Sequence, residues 1–297
     1  MNGNSDPDKI ILGTVQFGLP YGISNTQGQV SRQQGAGILA LARQAGIRTL
    51  DTAIAYGDSE TTLGILNVAD WQIITKLPEM PALPGADHVA AWVEAQVKGS
   101  LTRLRVPVLH GLLLHRPAQL RTAEGAALYR ALRTQCDLGH VRKIGISIYD
   151  PEELAQLPSE MTFDIVQAPL NVLDTRIVRS GWAARLAETG CELHARSIFL
   201  QGLLLMSASA RPAYFSRWDV IWRRWENWLV ETDLSPLQLC VRHALRTADV
   251  KRVVIGVDST AHLEGILSAA QGVLPARPAS LDTDDPALLN PALWNRT

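Results

Sequence analysis

Short apolar runs alternate along this chain with longer stretches in which apolar residues recur every three or four positions. Eight runs rich in β-branched residues and leucine fall at 10–15, 49–53, 72–77, 108–115, 143–148, 164–170, 192–198 and 252–257. Most are apolar throughout instead of alternating, the pattern of parallel strands covered on both faces. The stretches between them carry helix starts. Ser31 and Gln34 form a capping box, followed by a stripe through Ile38, Leu41, Ala42 and Ala45 that Gly46 ends. Asp87 is a candidate cap for a helix with Val93, Val97, Leu101 and Leu104 on one face. Asp150 and Pro151 open another, and Val178, Trp182 and Leu186 share a face in the next. Ser235-Pro236 starts a helix with Leu237, Val241 and Leu245 in line, and Thr260 precedes the last stripe, Leu263, Ile266, Leu267 and Ala270.

Strand and helix alternating eight times predict an α/β fold, a (β/α)8 TIM barrel. The alternative is an open doubly wound sheet, whose first turn would carry a glycine-rich phosphate loop entering a helix. Here GTVQFG at 13–18 runs instead into a loop as far as Ser31. The chain reads as a single barrel domain over 1–297, with an inserted helical segment at about 207–232 and an irregular C-terminal tail beyond Pro275. The insert holds Trp218, Trp222, Trp225 and Trp228 at helical spacing. Such a stripe is first of all core; a lid over the barrel mouth and an oligomer face are the alternatives.

Charge narrows the partners. With 28 Lys and Arg against 29 Asp and Glu, the formal net charge is −1. No basic field exists to hold a nucleic acid or a membrane surface, which leaves small molecules. The polar start of the chain does not resemble a signal peptide, and the longest apolar stretch, 198–206, is too short to span a bilayer. Cys136, Cys191 and Cys240 stand in no metal or redox spacing and read as reduced packing residues. A cytoplasmic protein without a metal, monomeric or a small homo-oligomer, is the expectation.

In a parallel barrel the C-terminal strand ends form the active-site rim. Polar residues there are Asp51 and Tyr56 after the second run, Lys76 at the end of the third, His115 at the end of the fourth, Ser147 in the fifth, Gln167 in the sixth, and Arg196 and Ser197 in the seventh. A buried Lys76 ammonium needs a counter-charge, which Asp51 on the adjacent strand can supply. An ammonium beside Tyr56 favours its phenolate, and His115 can donate to a substrate oxygen. Tyr56 then serves as general acid toward a carbonyl or general base toward an alcohol.

At these positions the chain resembles the aldo-keto reductase superfamily. DTAIAYG at 51–57 has the form D-T-A-x-x-Y-G, Lys76 is similar to the family's strand-end lysine, and LLLHRP at 112–117 matches L-L-x-H-x-P. Weaker similarity continues through IGIS at 144–147, Val166 and Gln167 with Asn171, residues 196–204, and Val254 to Gly256, so that about residues 10–270 are covered. The resemblance implies a barrel that binds NADP or NAD and reduces an aldehyde or ketone, including sugar-like carbonyls. It makes Tyr56 the proton donor, Asp51 and Lys76 its tuning pair, and His115 the carbonyl orienter. Ser147 and Gln167 would hold the carboxamide of the nicotinamide dinucleotide. Gly13, Thr14, Arg196, Ser197, Ile198, Phe199, Leu200, Gln201, Gly256, Asp258, Ser259 and His262 would lie along the rest of it.

Several positions depart from that pattern. Ile148 stands where the family often has Asn, and Arg196 where an aromatic residue often stacks on the nicotinamide. The last strand-to-helix turn usually offers Lys or Arg to a 2′-phosphate. No Lys or Arg occurs between Arg252 and Arg277, while Asp258 and Glu264 do, and His262 is the one group there able to assist NADP. A weak or reversed NADP preference follows. Gly265 and Ile266 occupy the usual adenine-side Glu and Asn positions. Two other classes remain open: a Schiff-base aldolase using Lys76, and a nucleotide-binding sensor or partner subunit with little turnover.

Overall fold

The computed structural model describes residues 7–294 apart from Ser24, Thr26, Gln27 and Pro84. Residues 1–6, on which the expectation about a signal peptide rests, and the end of the tail at 295–297 lie outside the described residues. Eight strands close into one parallel barrel: β1 (Ile10–Gly13), β2 (Thr49–Asp51), β3 (Gln72–Leu77), β4 (Gly111–Leu114), β5 (Ile144–Ser147), β6 (Ile165–Pro169), β7 (Glu192–Arg196) and β8 (Val250–Gly256). Each pairs with its sequence neighbours, and β8 returns to β1 through Val254↔Ile11 and Gly256↔Gly13. The (β/α)8 barrel expected from the alternation is the observed fold, and the open-sheet alternative is excluded by this closure.

Most strands are shorter than the apolar runs that announced them. Thr14, Ala53, Ile148 and Ile198 lie past their strand ends and are almost fully buried. Hydrophobicity reports burial, which continues into the loops beneath the rim, whereas strand bounds follow hydrogen bonding.

The helices are α1 (Arg32–Gln44), α2 (Ser59–Ile65), α3 (Ala86–Leu104), α4 (Gly125–Asp137), α5 (Glu152–Ala155), α6 (Arg176–Arg179), α7 (Trp182–Glu188), α8 (Asp219–Thr232), α9 (Pro236–Arg246), α10 (Thr260–Ala269) and α11 (Pro286–Leu289). Reciprocal side-chain and backbone bonds at Ser31/Gln34 and Ser235/Gln238 begin α1 and α9. Three expected helix features are corrected. Gly85 takes the N-cap position of α3, leaving Asp87 in the first turn where a carboxylate favours the helix dipole. Val178 belongs to α6 while Trp182 and Leu186 belong to α7, because the chain turns at Gly181. Ser259, not Thr260, caps α10 and accepts from the His262 N–H.

The register places alternate strand residues inside the barrel. Ile11, Ile74, Leu113 and Ile165 pack there as an apolar cluster with Val254 against it. Below them, toward the strand starts, Lys143 and His194 both reach Glu192 (2.6 and 3.0 Å), and Arg252 donates to Thr49 Oγ1. Above them stand Asp51, Lys76, Gln167 and Arg196.

A second apolar cluster sits beside the barrel. Trp218, Trp222, Trp225 and Trp228 are each more than nine-tenths buried against Leu203, Leu204, Phe215, Leu281, Leu288 and Trp294. Trp218 donates to Asp285 Oδ2 and Trp222 to the Phe215 carbonyl, so both indole N–H groups are satisfied. The tryptophans therefore act as core, fastening α8 to the C-terminal tail. No helix of the described residues is long and apolar enough to cross a membrane.

Candidate active site

Tyr56 lies in the loop between β2 and α2, and that loop is held by backbone contact with the loop after β1. A Cβ on Gly18 would stand 1.8 Å from the Tyr56 carbonyl oxygen, and Gly57 opposite it has φ 52°. Only glycine permits this approach. Ser59 Oγ donates to the Thr14 carbonyl (2.8 Å) and bonds Thr52 Oγ1 (3.0 Å). Glu60, buried on α2, accepts from Thr75, Ser100 and Arg103 and so ties the same loop to β3 and α3.

Lys76 is 1% exposed, and its ammonium donates to Asp51 Oδ1 (2.5 Å) and to the Thr52 carbonyl (2.9 Å). Burial opposes that charge, but Asp51 and Tyr56 together outweigh it and hold the amine above its ordinary pKa. Gln167 Nε2 donates to Asp51 Oδ2 (2.8 Å), so both carboxylate oxygens are engaged. Lys76 Nζ is 5.1 Å from the centre of the Tyr56 ring. His115 meets that ring edge-on at 6.0 Å between centroids. Burial, with the Lys76 and Arg196 cations, pushes the His115 imidazole down to about 4, which keeps it neutral at physiological pH.

Arg196 donates to the Ile148 carbonyl (2.8 Å) and to Ser197 Oγ (3.1 Å), and its guanidinium lies 4.6 Å from the Tyr149 ring centre. It therefore bridges the ends of β7 and β5. Ser197 (φ 59°), Leu200 (φ 48°) and Gln201 (φ 55°) are all in the left-handed region, which coils the chain after β7 tightly along the rim.

A cavity of about 650 Å³ opens over these residues. Gly13, Thr14, Asp51, Tyr56, His115, Ser147, Gln167, Arg196, Ser197, Ile198, Phe199, Gln201, Gly256, Asp258 and His262 line it. Three sequence candidates do not. Lys76 stands behind Asp51. Leu200 packs into the tryptophan cluster, and the Ser259 hydroxyl is consumed as the cap of α10. Sequence reasoning missed Tyr21, Asn25 and Tyr149, which also line the cavity. Tyr149 was discoverable, being a polar aromatic just past an apolar run. Tyr21 and Asn25 lie on a long loop whose path no pattern gives. Among the described residues no cluster of His, Cys, Asp or Glu could hold a metal. Cys191 and Cys240 are buried, and burial raises both thiols, Cys191 to about 12.

Residues 9–279 match the model of the aldo/keto reductase family. The chain belongs to that family. It is 32% identical over 136 residues to a 6-dehydroglucose reductase of Novosphingobium aromaticivorans, covering 41% of this chain and 44% of that protein. It is 34% identical over 127 residues to an aldo-keto reductase of Mycolicibacterium smegmatis, with the same shares covered. The matches thus span less than half the length of these relatives. An aldo-keto reductase from Bacillus halodurans, solved in its holo form, superposes with a TM-score of 0.70 at 18% identity, over 90% of this chain and 88% of the other.

Proposed function

We propose that this protein is an oxidoreductase that reduces an aldehyde or ketone to an alcohol with a nicotinamide dinucleotide. The observation that carries this reading is the Asp51, Lys76, Tyr56 and His115 cluster, in which Asp51, Tyr56 and His115 line the cavity and Lys76 stands behind Asp51. When bound, the dinucleotide supplies a hydride to the carbonyl carbon. Tyr56 passes its phenolic proton to the carbonyl oxygen, and the Lys76 ammonium, held by Asp51 and the Thr52 carbonyl, stabilises the phenolate left behind. Neutral His115 donates an N–H to the same carbonyl oxygen and orients it.

The residues present suit such a cofactor. The cavity is large enough for an extended ligand, and Ser147 and Gln167 line it as the polar pair that would take a carboxamide. The buried Nε–H of Arg196 has no protein partner, which leaves one donor of the lining unspent. Gly13, Thr14, Ser197, Gln201 and Gly256 would line its further course. A sugar-like carbonyl is the substrate class we favour, supported by the polar groups of Tyr21, Asn25 and Tyr149 around the cavity and by the dehydroglucose reductase among the relatives. The environment of Lys76 opposes the aldolase reading, since an amine held protonated is a poor nucleophile.

The test is consumption of reduced nicotinamide, followed by absorbance, with a panel of sugar aldehydes and simple carbonyls. Turnover is expected with at least one. A borohydride-trapped lysine adduct without hydride transfer would replace this reading with the aldolase, and dinucleotide binding without any turnover would replace it with a binding protein.

A further inference from the structure

The lining of the cavity has two chemically different parts. In one stand Tyr56, His115 and Arg196; to the other the turn from β8 into α10 contributes Asp258 and His262. We infer that this second part selects a dinucleotide with free ribose hydroxyls and rejects one carrying a 2′-phosphate, with Asp258 and its partner His262 as the discriminating residues. The inference rests on the reading that the cavity holds a dinucleotide.

Three observations support it. Asp258 is mostly buried, its side chain 18% exposed, and Oδ1 lies 2.5 Å from His262 Nδ1 across one turn at the start of α10. A carboxylate side chain offers hydrogen-bond acceptors and no donor. Asp258 therefore shows an acceptor to the cavity it lines. A ribose diol can donate to it; a phosphate has no proton to give and meets repulsion from a carboxylate already removed from water.

The third observation is where the cations are. Among the described residues lining the cavity, Arg196 is the one Lys or Arg, and it is tied to Ile148 and Tyr149. None of the four arginines of the inserted segment lines the cavity: Arg211 pairs with Glu226 (2.8 Å) over the Trp222 ring, Arg217 lies over Trp218, and Arg224 donates to the Ser280 carbonyl. His262, the basic side chain of this turn, has its Nδ1 directly beside the Asp258 carboxylate.

The experiment is equilibrium titration of the whole protein with NADH and NADPH, and in parallel with the fragments AMP and 2′,5′-ADP, neither of which can react. NADH should bind at least tenfold tighter than NADPH, and AMP tighter than 2′,5′-ADP. Asp258→Arg should move the NADPH-to-NADH affinity ratio at least tenfold toward NADPH, because it removes a repulsive carboxylate and supplies a guanidinium. Asp258→Asn, which keeps the shape, should move it about threefold or more in the same direction and carries the test if the arginine variant does not fold. A preference for NADH below tenfold, or a ratio unmoved in the folded variants, overturns the inference while leaving carbonyl reduction standing. Failure of both dinucleotides and both fragments to bind overturns the dinucleotide reading itself, and this inference with it.

Discussion

The interior of this barrel holds a carboxylate, a lysine and a histidine at each end, and the two sets do different things. At the lower end Glu192 takes Lys143 and His194, with Arg252 donating to Thr49 beside them. Glu192 is pulled down to about 2, chiefly by the His194 hydrogen bond and then by Lys143, against the opposing effect of burial. At the upper end Asp51 is equally saturated by Lys76 and Gln167, yet the ammonium also lies near a tyrosine that faces a cavity. Similar ion pairs thus serve the fold below and, in the function proposed above, tune a proton donor at the rim. What separates them is access to a ligand, together with the apolar cluster of Ile11, Ile74, Leu113 and Ile165 packed inside the barrel.

The sharpest way to break this contrast is to remove the proposed proton donor. Tyr56→Phe should lower carbonyl reduction by roughly two to four orders of magnitude, the range for lost general acid catalysis, with dinucleotide affinity nearly unchanged. Retention of more than a tenth of the activity would defeat the assignment. Lys76→Met should also depress turnover and displace the pH profile of the remainder if, as proposed, the ammonium stabilises the phenolate; an unmoved profile would separate Lys76 from that role.

The lower end should answer in stability instead. Glu192→Gln leaves Lys143 and His194 without their anion and should cost about 1–3 kcal/mol in denaturant unfolding. Turnover per folded molecule should stay within about twofold. A variant equally stable but catalytically impaired would reverse the division between the two ends.

Acid should weaken the fold more gently, through histidines at both ends of the barrel and on α9. His110 and His243, like His115, are pushed down to about 4 mainly by burial, and His194 is also lowered. The unfolded chain then takes up protons below about pH 6.5 that the folded chain refuses, so stability falls as pH drops from about 6.5 toward 4. Glu192, depressed in the fold, adds a loss from about pH 4.5 toward 2, as the unfolded state binds its proton first. Melting temperatures across pH 4–8 would test this; a flat curve between pH 6.5 and 5 would contradict it.

Much of this architecture was legible in one dimension. Eight apolar runs without alternation demanded a sheet covered on both faces, and helix starts such as Ser31 with Gln34 and Ser235-Pro236 are chemical signals read locally. Asp51, Tyr56, Lys76 and His115 were visible because strand ends of a parallel barrel share one rim. The cap of α3, the break at Gly181 and the length of β4 were not, since each depends on competition between local preference and packing that no window of sequence contains.

Sequence alone determined the order of elements, the strand-end candidates and the want of basic residues after β8, because these follow from periodicity and residue identity. Tertiary structure alone decided that Gln167 holds Asp51, that Arg196 reaches from β7 to Ile148 and Tyr149, and that His262 is tied to Asp258. It also decided that the tryptophans of α8 close a second core against the tail. The reason is physical: a side chain's polarity is fixed by its identity, whereas the partner that satisfies it is fixed by distance, and distance between remote residues exists only once the barrel has closed.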